Sequence, residues 1–451
     1  MAKVVTIEKS IIAKRKWTPK FSYIYKKLEN SPNAIELENF IDYGPINGID
    51  LRNFGEKGKN YIRISDMRRF FISYSDIKQV SIDKIPQKIK LQENDILISR
   101  KGTPGITVIT TTQDLDNVIG TEAILLRVKN NYDPYYLTAF FNSKVFFEQV
   151  INNLSGAVAS GINHPSLKKL KVLYDKKLVV NISQKVKKTI QLQVKSAKIL
   201  QKAKKLFYKE LNIDFPKIKK EKHYSVKLSD FAKDNLWTPA FSYPLYINTL
   251  KAIKKKWKTI PLGEIATVKK GDEVGSINYN KYLDKKDTDV PFIRTSDLVN
   301  YEVDQFPDFY IPEEIYQELK QDIKAGDVLY NNDGKIGFVA TLTTQDKVII
   351  QSHIRRLRLK PEAKKYNITS EYLFLVLTIK EVARYQAERF TVIQSTIPTI
   401  SNHLFDFEIP ILDKNSLDEI TKLVKEAFEL KNQKKKLIKE IREEIDSYFD
   451  I

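Results

Sequence analysis

The 451-residue chain has no cysteine. That excludes a disulfide framework, a thiolate metal site and a cysteine nucleophile. Histidine is almost as scarce. His164, His223, His353 and His403 are the whole supply, and no two stand at ligand spacing, which argues against a zinc site. Long apolar runs are missing too: the longest, Tyr372 to Ile379, is far too short to span a bilayer. The first residues mix Lys and Glu without an apolar signal core, so a cytoplasmic location is expected. There is no phosphate-binding Gly-Lys-Ser/Thr loop, so no ATP site is expected. Acidic residues are short against basic ones, 56 to 76, leaving a net charge of +20 and an isoelectric point near 9.5. A drift toward Lys, Ile and Asn contributes, but drift alone would raise Glu as well. The excess suits a polyanionic partner, with nucleic acid the default.

What the chain does have, it has twice. Trp17-Thr18-Pro19-Lys20-Phe21-Ser22-Tyr23 returns as Trp237-Thr238-Pro239-Ala240-Phe241-Ser242-Tyr243, identical at six of seven positions. Tyr61-Ile62-Arg63-Ile64-Ser65-Asp66-Met67 answers to Phe292-Ile293-Arg294-Thr295-Ser296-Asp297-Leu298. The extra residues of the second copy fall in the polar stretch from Gly271 to Thr288. Leu91 to Leu97 matches Ile323 to Leu329, and Gly102 and Gly105 match Gly334 and Gly337. Thr111-Thr112-Gln113-Asp114 recurs unchanged as Thr343-Thr344-Gln345-Asp346. A period this long is not a solenoid repeat; it marks two tandem domains.

Each copy is α+β. Tyr61 to Ile64, Asp95 to Ser99 and Ile106 to Thr110 are short β-branched runs bounded by Gly, Pro or Asp, as strands are. Arg100 to Gly105 and Asn331 to Gly337 are glycine-containing turns between antiparallel strands. Asp133-Pro134 and Thr369-Ser370-Glu371 are helix N-caps ahead of apolar runs. Trp17 and Trp237 are expected to anchor a core. Each copy ends in a long amphipathic tail. In the first, Ile182, Val186, Ile190, Val194, Ala197, Leu200, Ala203, Phe207 and Leu211 recur at steps of three or four. In the second, Ile420, Leu423, Ala427, Leu430, Leu437, Ile441 and Ile445 do so, with Lys434 interrupting. Narrow seams of this length favour a coiled coil. From Lys176 to Lys222 there are fifteen lysines and three acids, whereas Ser416 to Ile451 holds eight basic and nine acidic residues. Such flanks favour pairing the two helices with each other.

Taken together, the layout resembles a specificity subunit of a type I restriction–modification system. Pro261-Leu262-Gly263-Glu264-Ile265-Ala266, leading into Lys270-Gly271, resembles the family's domain start. Pro291 to Leu298 resembles its next strand, and Gly326-Asp327-Val328-Leu329 with the double-glycine turn is similar to its central hairpin. Gln351 to Arg358, Ser395 to Ser401 and, in the first copy, Ser160 to Leu167 also fit. The first copy departs at Ile35 to Ile41, which lacks the Pro and Gly of the second, and Thr18 and Thr238 replace the family's usual acid. The resemblance covers nearly the whole chain. It implies two similar α+β target-recognition domains, at 1–178 and 216–412. Each is followed by a long helix, at 179–215 and 413–451, and the helices pair as an antiparallel coiled coil. It further implies that each domain reads half of a split double-stranded DNA target in the major groove, with the helices as a ruler. Two methyltransferase subunits would dock, motor-nuclease subunits could join, and S-adenosylmethionine, ATP and Mg2+ would belong to those partners. The chain itself would be non-catalytic. The residues alone also admit a two-domain nucleic-acid binder from another phage-defence system.

Base edges call for Arg, Asn, Gln, Lys and Ser on exposed loops, and phosphates for Lys and Arg. The candidates in the first domain are Arg63, Arg68, Arg69, Arg100, Lys101, Ser160, Asn163 and His164. In the second they are Arg294, Asn331, Asn332, Lys335, His353, Arg355, Arg356, Gln394 and Ser395. Two patterns imitate catalysis. Asp133-Pro134-Tyr135-Tyr136 nearly spells an amino-methyltransferase motif, but its second Pro is missing and copy two has Ser370-Glu371-Tyr372 instead. Pro307-Asp308 with Glu318-Leu319-Lys320 imitates a nuclease's acids and lysine. Pro312 to Leu319, however, has the composition of a surface helix, where that chemistry would need a strand.

Overall fold

The fold was obtained as a computed structural model. It describes residues 19–55, 57–155, 160–216, 223–227, 236–274, 289–394 and 396–449. Trp17, Ser395 and most of the extra stretch before Thr288 lie outside these. The chain divides into two compact units, residues 1–191 with 436–451, and residues 192–435.

The first unit is organised around four antiparallel strands: β1 (Ile41–Asn47), β2 (Ile96–Ser99), β3 (Thr107–Ile109) and β4 (Ala123–Val128), in the order β1-β4-β2-β3. The register sets Ala123 opposite Ser99 and Leu126 opposite Ile96. All four residues of β2 are buried, so this strand packs on both faces. The second unit repeats the arrangement with β5 (Ala266–Lys270), β6 (Val328–Asn331), β7 (Val339–Thr341) and β8 (Ile354–Leu359), in the order β5-β8-β6-β7. Each copy adds one short parallel pair, Ile119 with Ile62 and Ile350 with Ile293. Each also closes by pairing its start with its end: Ala34–Glu36 runs antiparallel to Lys171–Leu173, and Thr259–Pro261 to Glu408–Pro410.

The predicted caps are present. The Asp133 carboxylate accepts from the backbone N–H groups of Tyr135 and Tyr136, opening helix α1 (Pro134–Phe141). Thr369 caps α3 (Ser370–Leu377) through Tyr372 N–H. The surface helix Glu313–Leu319 forms and buries none of its residues. Trp237 corrects an expectation: it is 69% exposed, and Phe241 is the buried aromatic of that motif. Thr238 caps the short turn that turns Phe241 inward, and Arg389 lies 4.2 Å over its ring.

Both tails are helical, α2 (Lys176–Leu211) and α4 (Lys414–Tyr448). In the first unit Lys185 Nζ lies 2.7 Å from Glu444. In the second, Glu210 accepts from Ser416 and Lys434 donates to Gln193, so the segments run antiparallel. Leu200, Ala203, Phe207 and Leu211 share one core with Leu417, Ile420, Val424 and Phe428, and with Tyr372 and Phe374 of the domain. The seam therefore serves the domain as well as the partner helix.

Its middle departs from the simple reading. Val194, Leu430 and Leu437 are only half-buried and Ala197 is exposed, while Gln193, Ser196, Lys431, Lys434 and Lys435 are buried. Carboxylates of the domain draw the lysines in. Lys431 and Lys434 meet Glu302, and Lys435 Nζ sits 2.6 Å from Asp346. Burial pushes the Glu302 carboxyl up, but the three ammonium groups pull harder and hold it at about 2.

Candidate nucleic-acid interface

In the first unit the turn after β2 must reverse the chain within six residues. Gly102 and Gly105 do so at φ +70° and +95°, values that side chains rarely adopt. The turn meets a second loop at Gly161, where a Cβ would come within 2.9 Å of the Arg100 carbonyl oxygen. Ile162 N–H donates to that same oxygen. This approach creates an open cleft of about 370 Å³ lined by Asn47, Arg100, Lys101, Ser155, Asn163 and His164. Four predicted residues thus converge. Arg100 and Lys101 are held by Glu122, at 3.2 and 3.5 Å. His164 Nε2 lies 2.9 Å from the Asn47 amide oxygen. Burial, followed by Arg100 and Lys168, lowers the His164 pKa, so a neutral ring is favoured. Asn163 spends its amide oxygen capping Ser166 N–H. Ser160 is exposed in the same loop.

The remaining candidates of this unit are committed elsewhere. Arg63 makes paired bonds to Asp66 and a third to the Asp76 carbonyl. Arg68 donates to the Ser65 and Met67 carbonyls. Arg69 packs over the Phe147 ring at 5.4 Å. Their half-buried guanidinium groups hold the fold rather than line the cleft.

The second unit places a turn at the same point, with Gly334 and Gly337 at φ +70° and +84°. Three candidates prove unavailable to a ligand. Asn331 and Asn332 are fully buried, donating to the Thr295 and Ser401 carbonyls, and the Arg356 side chain is 3% exposed against Asp322. Asn and Arg are usually exposed; here β6 and β8 lie in the middle of the sheet and carry Asn331 and Arg356 inside, and Asn332 follows β6 directly and is buried with them. Arg294 stacks over Phe309 at 4.6 Å. Arg355 is half-buried and donates to the Ser352 carbonyl. Lys335 is exposed on the turn.

The centre of this turn is acidic. Asp333 meets His353 Nδ1 at 3.0 Å and accepts from Thr399 and Asn332. Burial works against its charge, but the bonds from Thr399, His353 and Asn332, with Arg355 near, keep its pKa below the ordinary carboxylate value. Beside the turn stands a two-stranded hairpin, β9 (Val392–Gln394) and β10 (Ile397–Thr399). It is tied down where Gly334 N–H donates to the Pro398 carbonyl and Ile400 N–H to the Asn332 carbonyl.

The sheet registers align the two sites. Ala123 faces Ser99 and Ile354 faces Asn331, so Glu122 and His353 hold equivalent places just before their strands. In the first copy a carboxylate restrains a basic turn; in the second an imidazole restrains an acidic one. Sequence reasoning missed Asn47, Glu122, Asp333 and Thr399. Asp333 was legible, since it stands inside the Asn-Asn-Asp-Gly turn; the others come from distant segments.

No curated protein matches this chain. Among solved structures, the S subunit of the type I restriction–modification system from M. genitalium is 13% identical, covering 92% of this chain and 94% of its own, at a TM-score of 0.35. The HsdS subunit from Thermoanaerobacter tengcongensis is 13% identical, covering 93% and 97%, at 0.28. Among the described residues, no helix is long and apolar enough to cross a membrane. Residues 254–440 match the family model of the type I restriction modification DNA specificity domain. That match lies over the second copy, and the first copy repeats the same sheets, turns and caps, so the second half of the chain is similar to the DNA-specificity domain of type I restriction–modification systems.

Proposed function

We propose that the two units read the two halves of one split DNA target, each through its double-glycine turn and the loop tied to it. The observation that carries this is the recurrence of one site at the same sheet position with opposite charge chemistry. Arg100 and Lys101 offer donors suited to guanine O6 and N7, whereas Asp333 with His353 offers an acceptor and an imidazole. Unlike readers on like frames suit an asymmetric target. The paired helices α2 and α4 would set the number of unread base pairs between halves. The chain would choose the site while methyltransferase subunits, two per chain, carry S-adenosylmethionine and methylate adenine. Motor-nuclease subunits using ATP and Mg2+ would add cleavage.

The test is co-expression with the neighbouring methyltransferase and single-molecule mapping of methylated adenine. A split motif with a fixed gap is expected. Arg100→Ala should relax one half of it and His353→Ala the other. Absence of any methylation dependent on this chain would sink the reading.

A further inference from the structure

Among the described residues, the most exposed large hydrophobic side chain is Ile393, at 74%. Single exposed apolar residues are ordinary on a surface. This one is not placed ordinarily. It sits on β9, paired across the hairpin with Pro398, so these two share a face, while Val392 and Thr399 share the other. Thr399 turns inward: it is 7% exposed and donates to Asp333. The Ile393 face is therefore the outward one. Ile397, paired with Gln394 on the opposite face of the ribbon, is less exposed, at 43%. The hairpin thus lifts Ile393 off a polar base formed by Asp333, His353 and Lys335.

A protein-binding patch would be expected to extend over neighbouring apolar surface. Here the neighbours are the charged turn and the exposed Lys335, on a chain carrying +20. The major groove admits a two-stranded ribbon, and it displays one apolar group, the 5-methyl of thymine. We propose that β9 and β10 enter the major groove as a ribbon and that Ile393 packs on a thymine methyl in the half-site read by the second unit. This rests on the DNA-reading function proposed above and adds to it a base and the residue that selects it.

Uracil differs from thymine in that methyl alone, which gives a clean test. The full chain, co-purified with its methyltransferase, would select duplexes from a random library. Each thymine of the selected site would then be replaced by uracil, one at a time. One position should weaken binding by roughly four-fold, the worth of one buried methyl. Ile393→Ala should bind the thymine duplex about that much more weakly and lose nothing further on the uracil duplex. A half-site without a uracil-sensitive thymine overturns the inference. So does an Ile393→Ala variant that keeps the full uracil penalty, or one that instead fails to retain the methyltransferase. Failure to select any sequence would refute the DNA-reading function itself, an outcome distinct from selection without methyl dependence.

Discussion

At the level of single residues, the repeat marks buried ion pairs that hold each domain together. Asp95 and Asp327 recur because each holds an arginine of the next strand. Arg127 Nε lies 2.7 Å from Asp95, and Arg358 Nε 2.7 Å from Asp327. Asp95 is buried and also accepts from Gln92 N–H. Asp95→Ala removes the partner of a charge and leaves a backbone donor unmet. The expected loss is about 3 kcal/mol, the lower end for broken buried pairs, because Arg127 keeps some access to water. Urea unfolding of the variant checks this. Arg63 and Arg100 make the contrasting pair. Arg63→Ala should lower stability, since it abolishes three local bonds. Arg100→Ala should leave the melting temperature near that of the parent and cost ~1–3 kcal/mol of DNA discrimination. If Arg63→Ala kept full stability and lost base selectivity, its assignment to the fold would be wrong.

At the level of elements, the strands, caps and glycine turns were legible because each depends on local chemistry: β-branched runs, an Asp or Thr before an apolar helix, glycines where φ is positive. The helical seam was legible at its ends and not in its middle. Periodicity placed Leu430 and Leu437 inside, yet Lys431, Lys434 and Lys435 are the buried residues. Their carboxylate partners, Glu302 and Asp346, are about ninety residues or more away in sequence, and no local rule announces them. The same Thr-Thr-Gln-Asp motif even serves differently in the two copies. Asp114 takes Tyr74 as its second partner, and Asp346 takes Lys435. The lysine cluster carries a pH prediction. Glu302 in the fold titrates at about 2, below its ordinary value of 4.5. The unfolded chain therefore binds more protons between those values, and stability rises with pH across that interval. Acidification from pH 4.5 toward 2 should remove the Glu302 contribution, and Glu302→Gln should flatten that part of the stability profile. An unchanged profile would show that the cluster contributes nothing to the acid limb.

For the whole molecule, tandem duplication explains why the layout was plain in the sequence while the reading residues were not. The two copies share strands, caps and glycine turns, so the repeat pointed to the turns but not to which side chains there face outward. Asn331, Asn332 and Arg356 had the right chemistry but are buried. Arg100 and His353 belong to separate compact units, where Arg100 pairs with Glu122 and His353 with Asp333. Substitutions at such sites add within about 0.5 kcal/mol. The Arg100→Ala, His353→Ala double variant should therefore lose affinity for the intact target by the sum of the single losses, measured at one fixed salt concentration because phosphate contacts make binding salt-dependent. A double loss well below that sum would mean that one half-site already fails to engage once the other is damaged. In that case the two units read their halves as a single cooperative event and not as separate contacts on a common spacer.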